Sequence, residues 1–313
     1  MTVETPVDLV KLSGEIIQAG SKSFAAAAKL FDPETRASAH LLYAWCRHCD
    51  DVIDGQELGF QTADAAPHDP IAALERLRQM TADALDGKPM TDPVFAAFQL
   101  VVQRHAIPRR HPLELLEGFA MDVAGRRYST IEDTLSYCYH VAGVVGVMMA
   151  IIMGARDKDT LDRASDLGLA FQLTNIARDV VDDAAVGRVY LPQEWLSEAG
   201  IAIEDISQER NRPALHDVTA RLLALAEGYY ESSAAGIARL PARSGWAIAT
   251  ARVVYRDIGR EVLRRGPRAW DRRVSTSKAQ KILAVVRGAS NIVASKTVGV
   301  TASPRGGLWT RQE

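Results

Sequence analysis

The stretch Leu167–Asp183, LGLAFQLTNIARDVVDD, places four polar side chains at offsets of 0, 3, 7 and 11 residues: Gln172, Asn175, Asp179 and Asp183. At about 3.6 residues per turn, these amide and carboxylate groups share one stripe of a helix. Leucine, phenylalanine and isoleucine residues keep the opposite side apolar. The pattern therefore predicts a helix whose polar stripe either faces solvent or lines a polar cavity.

A second acidic cluster, DDVID, lies at residues 50–54, about 130 residues earlier. Asp50 and Asp54 are four residues apart, the spacing that stacks side chains on one helix face, and Asp179 and Asp183 repeat it. Like charges at this spacing destabilise a helix by a few tenths of a kcal/mol unless a cation neutralises them. Mg²⁺ binds carboxylates together with substrate phosphates. The two clusters therefore predict a helical cavity that holds Mg²⁺ and a diphosphate.

Basic and hydroxyl side chains accompany both clusters. Arg47 precedes Asp50 by one helical turn, and a surface ion network is the alternative interpretation of that first cluster alone. Arg188 and Tyr190 follow the second cluster closely. Arginine binds phosphate oxygens with two parallel hydrogen bonds, so this pair favours a diphosphate site over a solvated helix face.

Helical periodicity dominates the chain and predicts one all-α domain over residues 1–296. The expected helices are Pro33–Asp54, with Asp32 as N-cap, and 71–86, 93–105, 111–125, 131–154, 158–183, 214–239, 242–265 and 276–293. Residues 55–70 are expected to form a loop, and no alternation typical of strands occurs. The polar, glycine- and serine-rich tail 297–313 is expected to be disordered.

Composition excludes several classes of protein. The formal charge of −2 gives no support to nucleic acid as a partner. Three cysteines and the absence of a secretory signal in the first residues lead us to expect a cytoplasmic protein. The most apolar stretch, 141–155, is shorter than the roughly 20 residues that cross a bilayer, which favours a buried helix.

Two longer stretches resemble known signatures. Residues 137–152, YCYHVAGVVGVMMAII, resemble one signature of the squalene/phytoene synthase family, and the polar positions between Leu167 and Pro192 resemble the other. Residues 47–54 resemble the family's first aspartate motif, and SKSF at 21–24 resembles its N-terminal segment. The resemblance covers roughly residues 10–293. Within the family, the segment Trp270–Lys278 and the short tail are most similar to bacterial phytoene synthases.

The resemblance implies an all-α isoprenoid synthase fold with a central cavity. It also implies head-to-head condensation of two geranylgeranyl diphosphates, through prephytoene diphosphate, to phytoene in carotenoid biosynthesis. Mg²⁺, with Mn²⁺ as a substitute, would be held by Asp50, Asp54, Asn175, Asp179 and Asp183. NADPH is not expected.

The resemblance further assigns residues to catalysis and to substrate binding. The catalytic residues would be Tyr137, Arg47, Arg188, Tyr190 and Tyr255. The substrate-binding residues would be Ser21, Phe24, Arg47, Gln172, Asn175, Arg178 and Arg188. Peripheral membrane contact, through a basic stretch at 264–278, and contact with other enzymes of the carotenoid pathway are further expectations.

Other activities and roles remain as alternatives. A squalene or dehydrosqualene synthase would use the shorter farnesyl diphosphate with the same metal chemistry. A non-catalytic scaffold relative would be expected to lose the acidic ligands, and both clusters are intact. A head-to-tail prenyltransferase or a terpene cyclase would not be expected to carry the 137–152 signature.

Three further features have structural and functional interpretations. Cys46 and Cys49 resemble a redox or zinc motif, but their helical setting favours buried cysteines. Gly143, Gly146 and Gly154 in the apolar helix indicate either close helix packing or room for a prenyl chain. The alanine run 25–28 either favours helix alone or leaves an apolar channel that admits a C20 chain.

Overall fold

The structure, a computed structural model, describes residues 11, 13–17, 22–57, 60–61, 68–297 and 305–311. Helices dominate this part of the chain, and the predicted all-α class is confirmed. They are α1 (Lys22–Ala28), α2 (Pro33–Asp54), α3 (Pro70–Leu85), α4 (Pro93–His105), α5 (Arg110–Val123), α6 (Ile131–Cys138), α7 (Val144–Ile152), α8 (Lys158–Ala185), α9 (Gln193–Glu198), α10 (Arg212–Arg239), α11 (Ala242–Arg265) and α12 (Lys278–Thr297). Three short 3₁₀ turns lie at Ile203–Asp205, Glu209–Asn211 and Gly266–Arg268.

Local signals set the helix boundaries. Asp32 caps α2 by accepting a hydrogen bond from the Thr35 amide at 3.0 Å, with Pro33 at the first helical position, as predicted. Gly55 ends the same helix at a φ of 62°, which glycine adopts without strain. Helix α2 therefore stops directly after Asp54 and leaves the acidic cluster at its last turn.

The predicted absence of strands is wrong for a small hairpin in the expected loop. Strand β1 (Gln56–Glu57) pairs antiparallel with β2 (Phe60–Gln61), with Gln56 opposite Gln61. Each strand has two residues, so neither is long enough to show an alternating pattern in the sequence.

Helices α6 and α7 are joined by a π-helical turn, Tyr139–Gly143, into one continuous segment. The whole segment, Ile131–Ile152, has 22 residues and a mean hydropathy of 1.8, so length and composition alone would allow it to cross a membrane. The length argument made for 141–155 is therefore wrong. The interpretation as a core helix rests instead on packing, because 61% of the apolar window is buried inside the fold.

Helix α8 forms the centre of the molecule and packs against α7, α10 and α11. It crosses α7 with the two backbones in contact. A Cβ atom on Gly168 would lie 2.3 Å from the Ala142 carbonyl oxygen, and one on Gly146 would lie 2.4 Å from that of Ala164. Glycine at these positions thus permits the close helix packing, while Gly154 lies outside the helix, in a turn with a φ of 93°.

The structure confirms the prediction of buried cysteines but not that of a wholly disordered tail. Cys46, Cys49 and Cys138 are free thiols, and Cys49 and Cys138 are fully buried, as the structural interpretation requires. The prediction of a disordered tail is wrong for 305–311. Thr297 closes helix α12, and residues 305–311 pack against the domain through the buried ion pair of Arg305 with Asp166. Composition missed this because the contact partners are 139 residues apart.

Candidate active site

An elongated cavity of about 400 Å³ runs between α2 and α8. Along α2 it extends from Ala39 to Asp50, a distance of roughly 16 Å at the helical rise. Its polar end is lined by Arg47, Asp50, Asp122, Gln172 and Asn175. Its opposite end is lined by apolar side chains that include Ala28, Phe31, Met153 and Leu240. The cavity can therefore take a molecule with a charged head and a long apolar tail.

The first aspartate cluster lies at the polar end beside its own arginine. Arg47 donates to Asp50 at 3.0 Å and to Asp51 at 2.6 Å. The Asp50 side chain is 45% exposed because it faces the cavity, while protein surrounds it on the other sides. Burial raises the pKa of Asp50 to about 6, against the opposing charge of Arg47. Asp51 points away from this cavity and is almost fully buried.

Arg188 connects the two aspartate clusters. Its guanidinium donates two hydrogen bonds to Asp54, which lies 134 residues earlier in the chain. The turn that allows this follows α8, where Gly187 has a φ of 80° and the Arg188 amide donates to the Asp183 carbonyl at 2.9 Å. The predicted pair of clusters is thus brought to one site by a residue of the second motif.

The first half of the polar stripe of α8 lines the cavity, whereas Asp179 and Asp183 are not among the lining residues. Gln172 and Asn175 both line it, and the Asn175 amide nitrogen donates to the Gln172 side-chain oxygen at 3.3 Å. The Asn175 Oδ1 atom is buried and has no hydrogen-bond partner among the described residues. A buried acceptor without a partner is costly, and a cation bound at this oxygen would satisfy it. This atom, with the neighbouring carboxylates, fits the oxygen donor set that Mg²⁺ prefers.

Asp179 is fully occupied by two arginines. Arg178 and Arg273 each donate from Nε and Nη2, Arg273 at 3.0 and 2.9 Å, so each carboxylate oxygen accepts two hydrogen bonds. A carboxylate has about four lone-pair positions, and all of them are used here. Burial alone would raise the pKa of Asp179, but the hydrogen bonds and charges of Arg178 and Arg273 hold it below its ordinary value. A cation can therefore bind Asp179 only after an arginine has left it.

Asp183 lacks such compensation. Burial, reinforced by the charge of Asp179, raises the pKa of Asp183 to about 7. Within the described ranges, no three carboxylate, imidazole or thiol groups converge into a ready metal cluster. Arginines instead hold Asp50, Asp54 and Asp179 in separate ion pairs.

Asp122, which sequence reasoning did not select, organises two of the predicted tyrosines. The Tyr137 hydroxyl donates to Asp122 at 3.1 Å and the Tyr190 hydroxyl at 3.0 Å, and the two rings stack with centroids 4.6 Å apart. Burial raises the pKa of Asp122 to about 6, although Arg188 and the two hydroxyls oppose the shift. A signal was present: Asp122 continues the buried stripe of Leu115 and Phe119 on α5.

The remaining predicted residues form an aromatic wall. The Tyr255 ring stacks on the Phe171 ring with centroids 4.2 Å apart, and its centroid lies 5.5 Å from that of the Phe24 ring. All three rings line the cavity together with Tyr43. Burial raises the pKa of Tyr255 to about 12, so its hydroxyl is neutral at physiological pH. Ser21 lies outside the described residues.

Comparisons with known proteins identify the family and the fold. A profile of the squalene/phytoene synthase family matches residues 17–280. The chain is 58% identical to a phytoene synthase of Pseudescherichia vulneris, over 93% of this chain and 94% of that protein. It is 52% identical to a 15-cis-phytoene synthase of Pantoea ananas, over 95% of this chain and 96% of that protein. Its fold is similar to a crystal structure of a dehydrosqualene synthase in complex with a ligand, with a TM-score of 0.82 and 27% identity over 92% of this chain and 98% of that one.

The arginine pair on Asp179 predicts how the free protein binds a divalent cation. Arg273 is the more exposed partner, at 63% against 14% for Arg178, so its loss is the simplest way to free lone pairs. We expect Arg273→Gln to bind Mn²⁺ about tenfold more tightly than wild type without any diphosphate, since one hydrogen-bonded ion pair no longer competes. Electron paramagnetic resonance titration of free Mn²⁺ measures this.

The adjacent Arg272→Gln variant is the matched control. Arg272 is exposed, and its substitution removes the same charge from the same segment. Of these two arginines, however, only Arg273 donates hydrogen bonds to the Asp179 carboxylate. Equal Mn²⁺ affinity in the two variants would show that the affinity depends on the net charge of the segment and not on the Arg273–Asp179 ion pair.

Proposed function

Because the chain belongs to the squalene/phytoene synthase family, we propose that it is a phytoene synthase, a prenyl transferase of carotenoid biosynthesis. Two geranylgeranyl diphosphates would join head to head to give prephytoene diphosphate, which then rearranges to phytoene. Two diphosphates and two protons are released in total, and no reductant is consumed. The observation that carries the proposal is the arginine- and aspartate-lined end of an otherwise apolar cavity.

The charged end would bind the diphosphates. Asp50, Asp54, Asn175, Asp179 and Asp183 would hold Mg²⁺, or Mn²⁺ in its place, which supplies positive charge to the leaving diphosphate. The chain adds the guanidinium group of Arg47, which lines the same end, and those of Arg178 and Arg188, which are paired with Asp179 and Asp54. Preorganised positive charge lowers the energy of the departing anion because no solvent has to reorganise around it.

The apolar part of the cavity would protect the allylic cation that remains. Water would quench this cation, and the walls offer few polar atoms beyond the charged end. The stacked rings of Tyr137 and Tyr190, and the Tyr255–Phe171 pair, present π faces that stabilise a nearby cation. Asp122 holds both hydroxyls of the first pair and so fixes the orientation of those rings.

Small side chains at the apolar end favour the longer substrate. Ala27 and Ala28 of α1 are buried and line the cavity, opposite Met153 and Leu240. The space beside these alanines would take the last isoprene unit of a C20 chain. The squalene alternative, with its C15 substrate, would leave this space empty.

The decisive experiment is a product assay on the purified protein. Incubation with Mg²⁺ and geranylgeranyl diphosphate, without NADPH, should yield a C40 hydrocarbon with a triene chromophore, and EDTA should abolish it. If only farnesyl diphosphate gave a product, a C30 hydrocarbon, the proposed C20 substrate would be wrong and the squalene or dehydrosqualene synthase alternative would take its place. No product from either would favour the non-catalytic scaffold.

In the same assay, Asp179→Asn should lower turnover by a factor of at least about 100, because a neutral amide binds both cation and arginine more weakly. Its fold should persist, as judged by circular dichroism. Asp182→Asn is the control, since Asp182 is exposed and lies off the polar stripe. Wild-type kinetics in Asp179→Asn would contradict the metal assignment.

Ala28→Phe tests the proposed role of the alanine run. The added ring fills the apolar end of the cavity, so we expect the ratio of kcat/KM for C20 over C15 diphosphate to fall about tenfold or more. Ala26→Phe introduces the same ring at a partly exposed position that does not line the cavity. An unchanged ratio in Ala28→Phe would remove the argument from the alanines.

We also propose a cytoplasmic protein that touches an anionic membrane and other carotenoid-pathway enzymes. Arg264, Arg265 and Arg273 of the basic stretch are paired with Glu261 or Asp179, which weakens a purely electrostatic contact. Helix α12, however, exposes an apolar ridge next to Lys278: Ile282, Leu283, Val286 and Val293, each 48–67% exposed. Apolar groups beside basic ones suit the interface of an anionic bilayer.

Liposome flotation tests this contact. Ile282→Asp should reduce binding to vesicles that contain phosphatidylglycerol, because it places a negative charge in the apolar ridge. Ile71→Asp is the control, since Ile71 is 71% exposed on α3, away from the ridge. Equal binding of the two variants would count against the ridge.

A further inference from the structure

The C-terminal segment 305–311 occupies an acidic groove on the outer side of α8. Arg305 donates to both carboxylate oxygens of Asp166 at 2.8 Å and to Asp162 at 3.2 Å. Asp166 is 1% exposed and also accepts a hydrogen bond from the Ser232 hydroxyl of α10. Arg311, whose side chain is 8% exposed, lies 3.5 Å from the second oxygen of Asp162. Two arginines therefore neutralise two carboxylates that would be costly to bury alone.

Apolar contacts extend this docking to the π-helical turn. The Trp309 amide donates to the Tyr229 hydroxyl of α10 at 3.2 Å, and the Trp309 ring lies 5.5 Å from the ring of Tyr139. Leu308 lies beside Gly228 of α10, where a Cβ atom on the glycine would be 3.5 Å from the Leu308 Cδ2 atom. Tyr139 is the first residue of the π-helical turn and is 3% exposed. The segment thus covers the point where α6 becomes the turn.

Tyr139 connects the segment with the Tyr137–Asp122 pair of the cavity. Its hydroxyl donates to Glu114 of α5 at 2.7 Å. Glu114 precedes Asp122 by eight residues on the same face of α5, and Tyr139 follows Tyr137 by two. Two hydrogen bonds therefore join α5 to the continuous segment formed by α6 and the turn: Tyr139 of the turn bonds Glu114 under Trp309, and Tyr137 of α6 bonds Asp122 in the cavity.

We propose that the C-terminal segment 305–311 is a positioning element for the reaction. By docking in the acidic groove and covering Tyr139, it fixes the π-helical turn and, through it, the orientation of the Tyr137 ring and its hydroxyl on Asp122. The docking follows from the contacts alone, whereas the catalytic consequence rests on the proposed function.

The test uses the full chain and three variants of the segment. Trp309→Ala removes the cover of Tyr139, Trp309→Phe retains an aromatic ring, and Thr310→Ala is the control because Thr310 is exposed within the same segment. Hydrogen exchange of peptides that span 131–152 reports on the turn. Steady-state kinetics with geranylgeranyl diphosphate report on positioning.

In Trp309→Ala, we expect faster exchange in the π-helical turn and a kcat lowered about tenfold with KM within about twofold of wild type, as for a misplaced catalytic group. Trp309→Phe should restore most of the wild-type kcat and most of the slow exchange in the turn. Thr310→Ala should match wild type in both measurements. A loss of global stability alone would also lower the apparent kcat, because less enzyme is folded, but it would speed exchange in all helices and not in the turn alone.

Equal exchange in Trp309→Ala and Thr310→Ala would overturn the proposal, and so would faster exchange with unchanged kcat. If Trp309→Ala does not fold, Arg305→Lys, which keeps the charge but not the two-fold hydrogen bonding to Asp166, supplies the same comparison. If wild type itself forms no product, the proposed function fails, and the exchange comparison alone then decides whether the segment fixes the turn.

Discussion

Mutual repulsion of carboxylates at the end of one apolar cavity is the constraint on which this structure depends. Asp50 and Asp122 line that end, Arg188 holds Asp54 nearby, and burial raises the pKa of Asp50, Asp122 and Asp183. Without a cation, the chain offsets this repulsion with guanidinium groups. Those groups come from separate elements, so the ion pairs also fix how the elements meet. The Asp54–Arg188 pair, for example, holds the end of α2 against the turn after α8.

The same ion pairs set the conditions for binding a cation. Every lone pair of Asp179 is used by arginine, while the Oδ1 atom of Asn175 has no partner among the described residues. Under the proposed function, Asp179 would exchange an arginine for metal when a diphosphate offers the guanidinium group another partner. Binding of cation and diphosphate should consequently be linked.

The apolar part of the cavity includes the close crossing of two helices. Gly146 and Gly168 let α7 and α8 meet backbone to backbone, and both glycines line the cavity together with larger apolar side chains and the alanines of α1. The Tyr137–Asp122 hydrogen bond joins α6 to α5, and the Tyr139–Glu114 bond joins the following turn to α5 beneath the C-terminal segment. Under the proposed function, the C-terminal segment would thus add rigidity to the site from outside it.

The sequence by itself determined the helices, the two acidic clusters and the family. Helices 93–105 and 242–265 agree with prediction at both ends, because periodicity, proline and capping residues act over a few positions. Only the tertiary structure decided which side chains meet. Arg273 reaches Asp179 across 94 residues, Asp122 receives two tyrosines from other elements, and Arg305 makes an ordered contact out of a polar tail. Such contacts arise from the packing of distant helices, which local patterns do not encode.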